Sequence, residues 1–132
     1  MGLAGCRVGA AIAVSDMTRS REFYESVLGL VPATDHEPED NVTYVCGAGT
    51  IVHVFTTPHA GTATSTVAGF EVDDIARMVD ELTGRGVVFE QYHGDGIDTD
   101  ARGIATFPGD NRVAYFKDPD GNVLSLAQPG PA

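Results

Sequence analysis

The sequence predicts an α+β domain, a mixed, curved sheet with helices on its outer face, in which one strand–helix–strands unit occurs twice. Three observations carry the prediction. An apolar run ending in Ser or Asp and leading into a helix-period stretch occurs at residues 9–29 and again at 67–86. Strand-length segments outnumber helical ones. Glycine is abundant, 16 of 132 residues, as expected of a chain with many tight turns. The length suits one domain of ordinary size, needing neither disulfides nor a metal to fold.

The first strand is read at Gly9–Val14, breaking at Ser15-Asp16. Ser20, Phe23, Tyr24, Val27 and Leu28 then fall on one face of a helix stopped by Gly29. Strands follow at Val42–Cys46 and Thr50–Thr56, joined by Gly47-Ala48-Gly49. The second copy opens with Val67–Val72 and breaks at Asp73-Asp74. It continues with a helix burying Ile75, Met78, Val79 and Leu82 and ending near Gly84 and Gly86. Asp16 and one of Asp73 and Asp74 suit N-caps, where a short carboxylate accepts from orphan amide hydrogens. Four strands are expected next, at Val87–Tyr92, Ile104–Phe107, Arg112–Lys117 and Asn122–Gln128. The last two are joined by a type I turn at Asp118-Pro119-Asp120-Gly121.

The two copies align at an offset of 58 at their start, Gly9 with Val67, and of 72 at their end, His53 with Ser125. The extra residues therefore lie between Val88 and Arg112. The polar segment His93–Asp100 within them is either a functional lid or a surface insertion. We expect one domain spanning 1–132, with modules at about 7–60 and 65–129.

Strand alternation selects two faces. If Val8, Ala10, Ile12 and Val14 face the helices, the opposite face carries Gly9, Ala11 and Ala13. The matching positions elsewhere are Ile51, His53 and Phe55; Val67, Gly69 and Glu71; and Val123, Ser125 and Ala127. So many small side chains leave room for a ligand unless something packs close. His53 is either a hydrogen-bonded core or surface histidine, or a polar anchor or general base in an apolar pocket. Glu71 is either a solvated edge residue or its partner, and Ser125 could donate to a ligand. Of Tyr115 and Phe116, one is expected to line the cavity and the other to pack under a helix; Tyr44-Val45 sit on the other flanking strand. His36 falls in an acidic loop, Asp35–Asp40.

Nineteen acidic against eight basic residues give a net charge of −11, which argues against nucleic-acid and membrane-surface partners and admits a cationic ligand. Residues 41–70 carry no charge but are too rich in Thr and Gly to span a membrane. Cys6 and Cys46 form no metal or disulfide pattern, which fits a reducing cytoplasm. Leu3-Ala4-Gly5-Cys6 resembles a lipoprotein cleavage box, but no basic or apolar stretch precedes it, and no export signal is expected. No nucleophile elbow, phosphate-cradling loop or dinucleotide fingerprint is present.

Val14-Ser15-Asp16-Met17 with Phe23-Tyr24-Glu25-Ser26-Val27-Leu28-Gly29-Leu30, and Phe116-Lys117-Asp118-Pro119-Asp120-Gly121-Asn122, resemble the opening and closing motifs of the vicinal oxygen chelate superfamily. Glyoxalase I, extradiol dioxygenases and bleomycin-resistance proteins belong to it. The resemblance implies paired βαβββ modules curving around an open cleft, commonly completed in a homodimer. It also implies that metal-using members place His, Gln or Glu where this chain has Gly9, His53, Val67 and Ser125. Only His53 ligates a divalent ion well, and one imidazole does not hold a metal against water. His59, beyond Pro58 in a turn, does not rescue the set.

No metal and no cofactor is therefore expected. The reading is a cytoplasmic homodimer that binds or sequesters a hydrophobic or cationic small molecule. Its ligand-binding residues are His53, Phe55, Glu71, Ser125, Gly9, Val67 and Tyr115. Two alternatives stand beside it: a metal-independent lyase, isomerase or transferase with His53 and Glu71 as candidate catalytic residues, and a divalent-metal enzyme of the glyoxalase or dioxygenase type.

Overall fold

A computed structural model describes residues 2–34 and 38–131; His36 and its neighbours Asp35 and Glu37 lie outside the described residues. The chain divides into two compact units, Met1–Gly61 and Thr62–Ala132, each built on a four-stranded mixed sheet.

In the first unit, strand β1 (Ala10–Val14) leads into helix α1 (Met17–Arg21). Strands β2 (Val31–Pro32), β3 (Asn41–Val45) and β4 (Ile51–Thr56) follow. The sheet order is β1-β4-β3-β2, with β1 parallel to β4 and the other pairs antiparallel. Asp16 caps α1, its Oδ1 accepting from the Arg19 amide at 3.1 Å. The helix then widens into a π-helical turn over Glu22–Val27, with the Leu28 amide bonded to the Phe23 carbonyl at 2.9 Å, and Gly29 ends it at φ 77°. A regular α-helix was expected throughout. The wider turn lets two consecutive side chains reach Tyr44: the Tyr24 ring stacks on it at 6.2 Å, and Glu25 accepts from its Oη at 2.9 Å. Ile12, Val14, Val42, Val52 and Val54 fill the core beneath Tyr24 and Tyr44.

Val8 departs from expectation. The strand begins two residues later, and Val8 is 82% exposed instead of facing the helix. Gly9 likewise precedes β1.

The second unit repeats the plan. Strand β5 (Thr66–Glu71) and helix α2 (Ile75–Gly84) are followed by a two-stranded hairpin, β6 (His93–Gly94) and β7 (Ile97–Asp98). Strands β8 (Ile104–Phe107), β9 (Asn111–Lys117) and β10 (Val123–Gln128) complete it, in sheet order β5-β10-β9-β8. Asp74, not Asp73, caps α2. Ile75, Val79 and Leu82 are its buried face, over Phe116, Leu124 and Leu126 of the core.

The strand expected at Val87–Tyr92 does not form a ladder. Phe89 makes an isolated bridge to Phe116, and the Glu90 amide bonds the Tyr115 carbonyl at 2.8 Å. The segment after it is a hairpin, because Asp95 (φ 54°) and Gly96 (φ 84°) supply the paired positive dihedrals of a two-residue turn. Buried Thr99 closes its base, accepting from the Tyr92 amide at 2.9 Å.

The closing motif is a structural device. Asp118, 5% exposed, accepts from the Asp120 and Asn122 amides at 2.9 Å and from Asn122 Nδ2 at 2.8 Å, while Gly121 sits at φ 85°. No helix among the described residues is long and apolar enough to cross a membrane.

Candidate functional site

The two sheets carry equivalent rows on the face turned away from the helices. In the first unit Ala11, His53 and Thr43 are in register across β1, β4 and β3. In the second, Gly69, Ser125 and Tyr115 are in register across β5, β10 and β9. The offsets read from the sequence connect them, 58 for the first strand and 72 for the other two, so Thr43 corresponds to Tyr115. Tyr44 and Phe116, one residue on, are both fully buried on the helix side. That assigns Tyr115 to the open face and Phe116 to the core.

On the first unit's open face, His53 and Phe55 stack along β4 with ring centroids 6.1 Å apart and planes 20° from parallel. Both are half-buried. Opposite them on β1 stand Ala11 and Ala13, so only methyl groups border that side of the aromatic pair. His53 Nδ1 shares a hydrogen bond of 2.9 Å with Thr43 Oγ1, and Nε2 has no partner among the described residues. The bond fixes the ring and links its tautomer to the hydroxyl: if Thr43 donates, Nε2 carries the proton and offers a donor; if Nδ1 donates, Nε2 is an acceptor.

At one end of this face lies a cavity of about 330 Å³ lined by Arg7, Val8, Gly9, Gly49 and Ile51. A Cβ at Gly9 would collide with Ile51 Cγ1, so the isoleucine side chain already fills the direction a larger residue there would take.

On the second unit's open face, Tyr115 meets Tyr92 edge-on at 5.5 Å and 73°. Burial pushes the Tyr115 hydroxyl above the usual phenol range, with a smaller contribution from Tyr92. Ser125 is 7% exposed, and a Cβ at Gly69 would lie 2.7 Å from its Oγ. Glu71 is exposed at the end of β5 with no hydrogen bond or ion pair among the described residues. Val67 sits at a bulge: Val123 pairs with Thr66 but Leu124 with Ala68, leaving Val67 without a partner on β10.

Of the four positions that the sequence resemblance equates with metal ligands, Gly9 and Val67 carry no donor, Ser125 carries a hydroxyl, and His53 has one nitrogen engaged by Thr43. These residues do not fit a divalent ion, which needs three or four good donors. Among the described residues no group of three or more His, Cys, Asp or Glu side chains converges. Thr43 and Tyr92 were not singled out from sequence. The offset of 72 pointed to Thr43 through Tyr115, whereas nothing local marked Tyr92, whose place depends on the hairpin behind it.

Two modules of identical strand order, each with a helix on one face of its sheet and an aromatic pair on the other, define the class of fold. The family model described as the Glyoxalase/Bleomycin resistance protein/Dioxygenase superfamily matches residues 8–126, and the chain belongs to that superfamily. Solved structures share the fold. The antibiotic binding protein TnmS3 from Streptomyces sp. CB03234 is 23% identical with a TM-score of 0.68, the match covering 98% of this chain and 99% of that one. A glyoxalase/dioxygenase from Nostoc punctiforme is 24% identical (TM-score 0.67, 98% and 94% covered). Lactoylglutathione lyase from Agrobacterium tumefaciens is 22% identical (TM-score 0.66, 94% and 93% covered). Among curated proteins, none matches the chain.

Proposed function

We propose that the chain is a small-molecule binding protein of the glyoxalase/bleomycin-resistance type that works without the superfamily's metal and holds a hydrophobic ligand. The observation that carries the reading is the His53–Phe55 strip, an aromatic pair with nearly parallel rings beside the small side chains of Ala11 and Ala13 on the next strand. An offset-stacked planar group gains there both apolar burial and ring–ring attraction. Of the hydrophobic and cationic ligands that composition admits, this face favours the first, because residues 41–70 contain no Asp or Glu. The fold shared with an antibiotic binding protein is consistent with sequestration. Gly9 stands at the end of the same face, and Val67, Glu71, Ser125 and Tyr115 are proposed as ligand contacts on the second unit's own open face. We also propose a homodimer, in which a second copy covers open sheet edges, and a cytoplasmic location, where two free cysteines are harmless.

A thermal-shift panel of flat apolar compounds, run on protein stripped with a chelator, tests this. A ligand at a hundred times its Kd stabilises by about 2.7 kcal/mol, so a hit raises the melting temperature by several degrees, and Phe55→Ala cuts the rise by about half or more. A panel without hits, or hits only after a divalent ion is restored, contradicts it.

The partner-free Nε2 of His53 favours a second reading, a metal-independent lyase, isomerase or transferase using His53 as base, with Glu71 of the second unit as a separate candidate. Turnover that survives chelation and is lost in His53→Ala would select it.

A further inference from the structure

We infer that the ligand of the first unit's open face carries a carboxylate and seats it on Arg7; this rests on the small-molecule reading above and names the ligand's class. Arg7 lines the cavity of about 330 Å³ at the end of that face, a volume at the lower end of the range for small-molecule sites, about 300–1,000 Å³. The other walls are the apolar side chains of Val8 and Ile51, 82% and 40% exposed, and the bare backbone of Gly9 and Gly49. Apolar walls with a single charged group at the rim fit an amphiphile with one charged end.

The sign of that end follows from the charge map. The segments that build the cavity and the aromatic strip, residues 1–15 and 41–70, contain one Lys, Arg, Asp or Glu between them, and it is Arg7. The surplus acid that gives the chain its net charge of −11 lies elsewhere in the sequence. Arg21, Arg85, Arg102 and Lys117 each pair with a carboxylate. Arg7, like Arg77 and Arg112, has no such partner among the described residues, and of these three it is the one that lines the cavity; its Nη1 donates to the Gly49 carbonyl at 3.3 Å. That bond aims the guanidinium and leaves its remaining N–H groups for a ligand, and a planar fork of donors matches a carboxylate in two parallel hydrogen bonds. Gly49, at φ 76°, is part of the seat, since a Cβ there would stand 3.1 Å from Arg7 Nη1.

The test is calorimetric titration with a matched pair of probes, 4-phenylbutyrate and its uncharged amide. The wild-type protein should bind the acid about tenfold more tightly than the amide, the advantage of an ion pair with two parallel hydrogen bonds over a hydrogen bond to an uncharged oxygen. Arg7→Gln should erase that advantage, weakening the acid about tenfold and the amide far less with the melting temperature unchanged, and Phe55→Ala should weaken both probes together. Acid and amide binding equally, with Arg7→Gln altering neither, overturns the assignment of Arg7 and leaves the small-molecule reading standing. Neither probe binding overturns the assignment too, and an empty panel of flat apolar compounds would then remove the broader reading with it.

Discussion

Removing one hydroxyl, in Tyr44→Phe, tests how the π-helical turn is held to its sheet. Tyr44 is fully buried, and its Oη donates to Glu25 Oε2 at 2.9 Å, while Arg21 Nε donates to the same oxygen at 2.6 Å. Hydrogen bonds to a charged group contribute about 1.5–3 kcal/mol. The substitution keeps the ring stacked on Tyr24, and Glu25, with 26% of its side chain exposed, keeps Arg21 and gains access to water. The cost should therefore fall at or just below the lower limit, about 1–1.5 kcal/mol, or roughly 3–7 °C in melting temperature for a chain of this size.

The pH dependence supplies a second readout. The Arg21 hydrogen bond, helped by Tyr44, holds the Glu25 carboxyl below its usual range against an opposing push from burial. A depressed folded-state pKa gives stability that is fully present above the unfolded value, about 4.3, and is lost as pH falls through the lower folded value. Urea denaturation should thus show the gap between wild type and Glu25→Gln widest near neutral pH and closing below about pH 4. The double variant should cost less than the sum of the singles, since one removes the donor and the other the acceptor's charge from a single shared hydrogen bond. A loss under about 0.3 kcal/mol for Tyr44→Phe, or a gap that does not close in acid, would refute this reading.

Three further outcomes are expected. Ser20 is fully buried with an unpaired Oγ among the described residues, so Ser20→Ala should stabilise by about 0.5–1.5 kcal/mol, seen as a higher urea midpoint with unchanged slope. Asp118→Ala strands buried donors of the closing turn and should cost about 3 kcal/mol, measured the same way; near-neutrality would mean the turn is held by Pro119 and Gly121 alone. Phe55→Ala should cost little stability, about 1–2 kcal/mol for a half-buried ring, yet weaken planar ligands at least about tenfold by calorimetry, a split that a purely structural role would not give.

The fold was legible in the sequence because it was written twice. Asp16 and Asp74 stop a strand and start a helix by the same chemistry, and the offsets 58 and 72 pair the strands in the register observed. What was not legible depended on geometry without periodicity. The π turn shows only as a helix until Glu25 and Tyr24 are seen sharing Tyr44. The segment from Val87 has strand-like residues, but its amides find one bridge and a hairpin whose Asp95-Gly96 turn leaves two residues in each arm. At the site, alternation placed His53 and Phe55 on the open face. Arg7 lies ahead of the first patterned segment, and only the Gly49 carbonyl across the sheet shows where its side chain goes.

Whether this face works through its aromatic strip or through an ion is decided most directly by metal analysis of the native protein, purified without chelator and dialysed against metal-free buffer. A donor set of one half-engaged imidazole, one hydroxyl and two bare positions predicts far less than one zinc, nickel, iron or manganese per chain, and no difference between wild type and His53→Ala. About one tightly held divalent ion per chain, lost in His53→Ala, would contradict it.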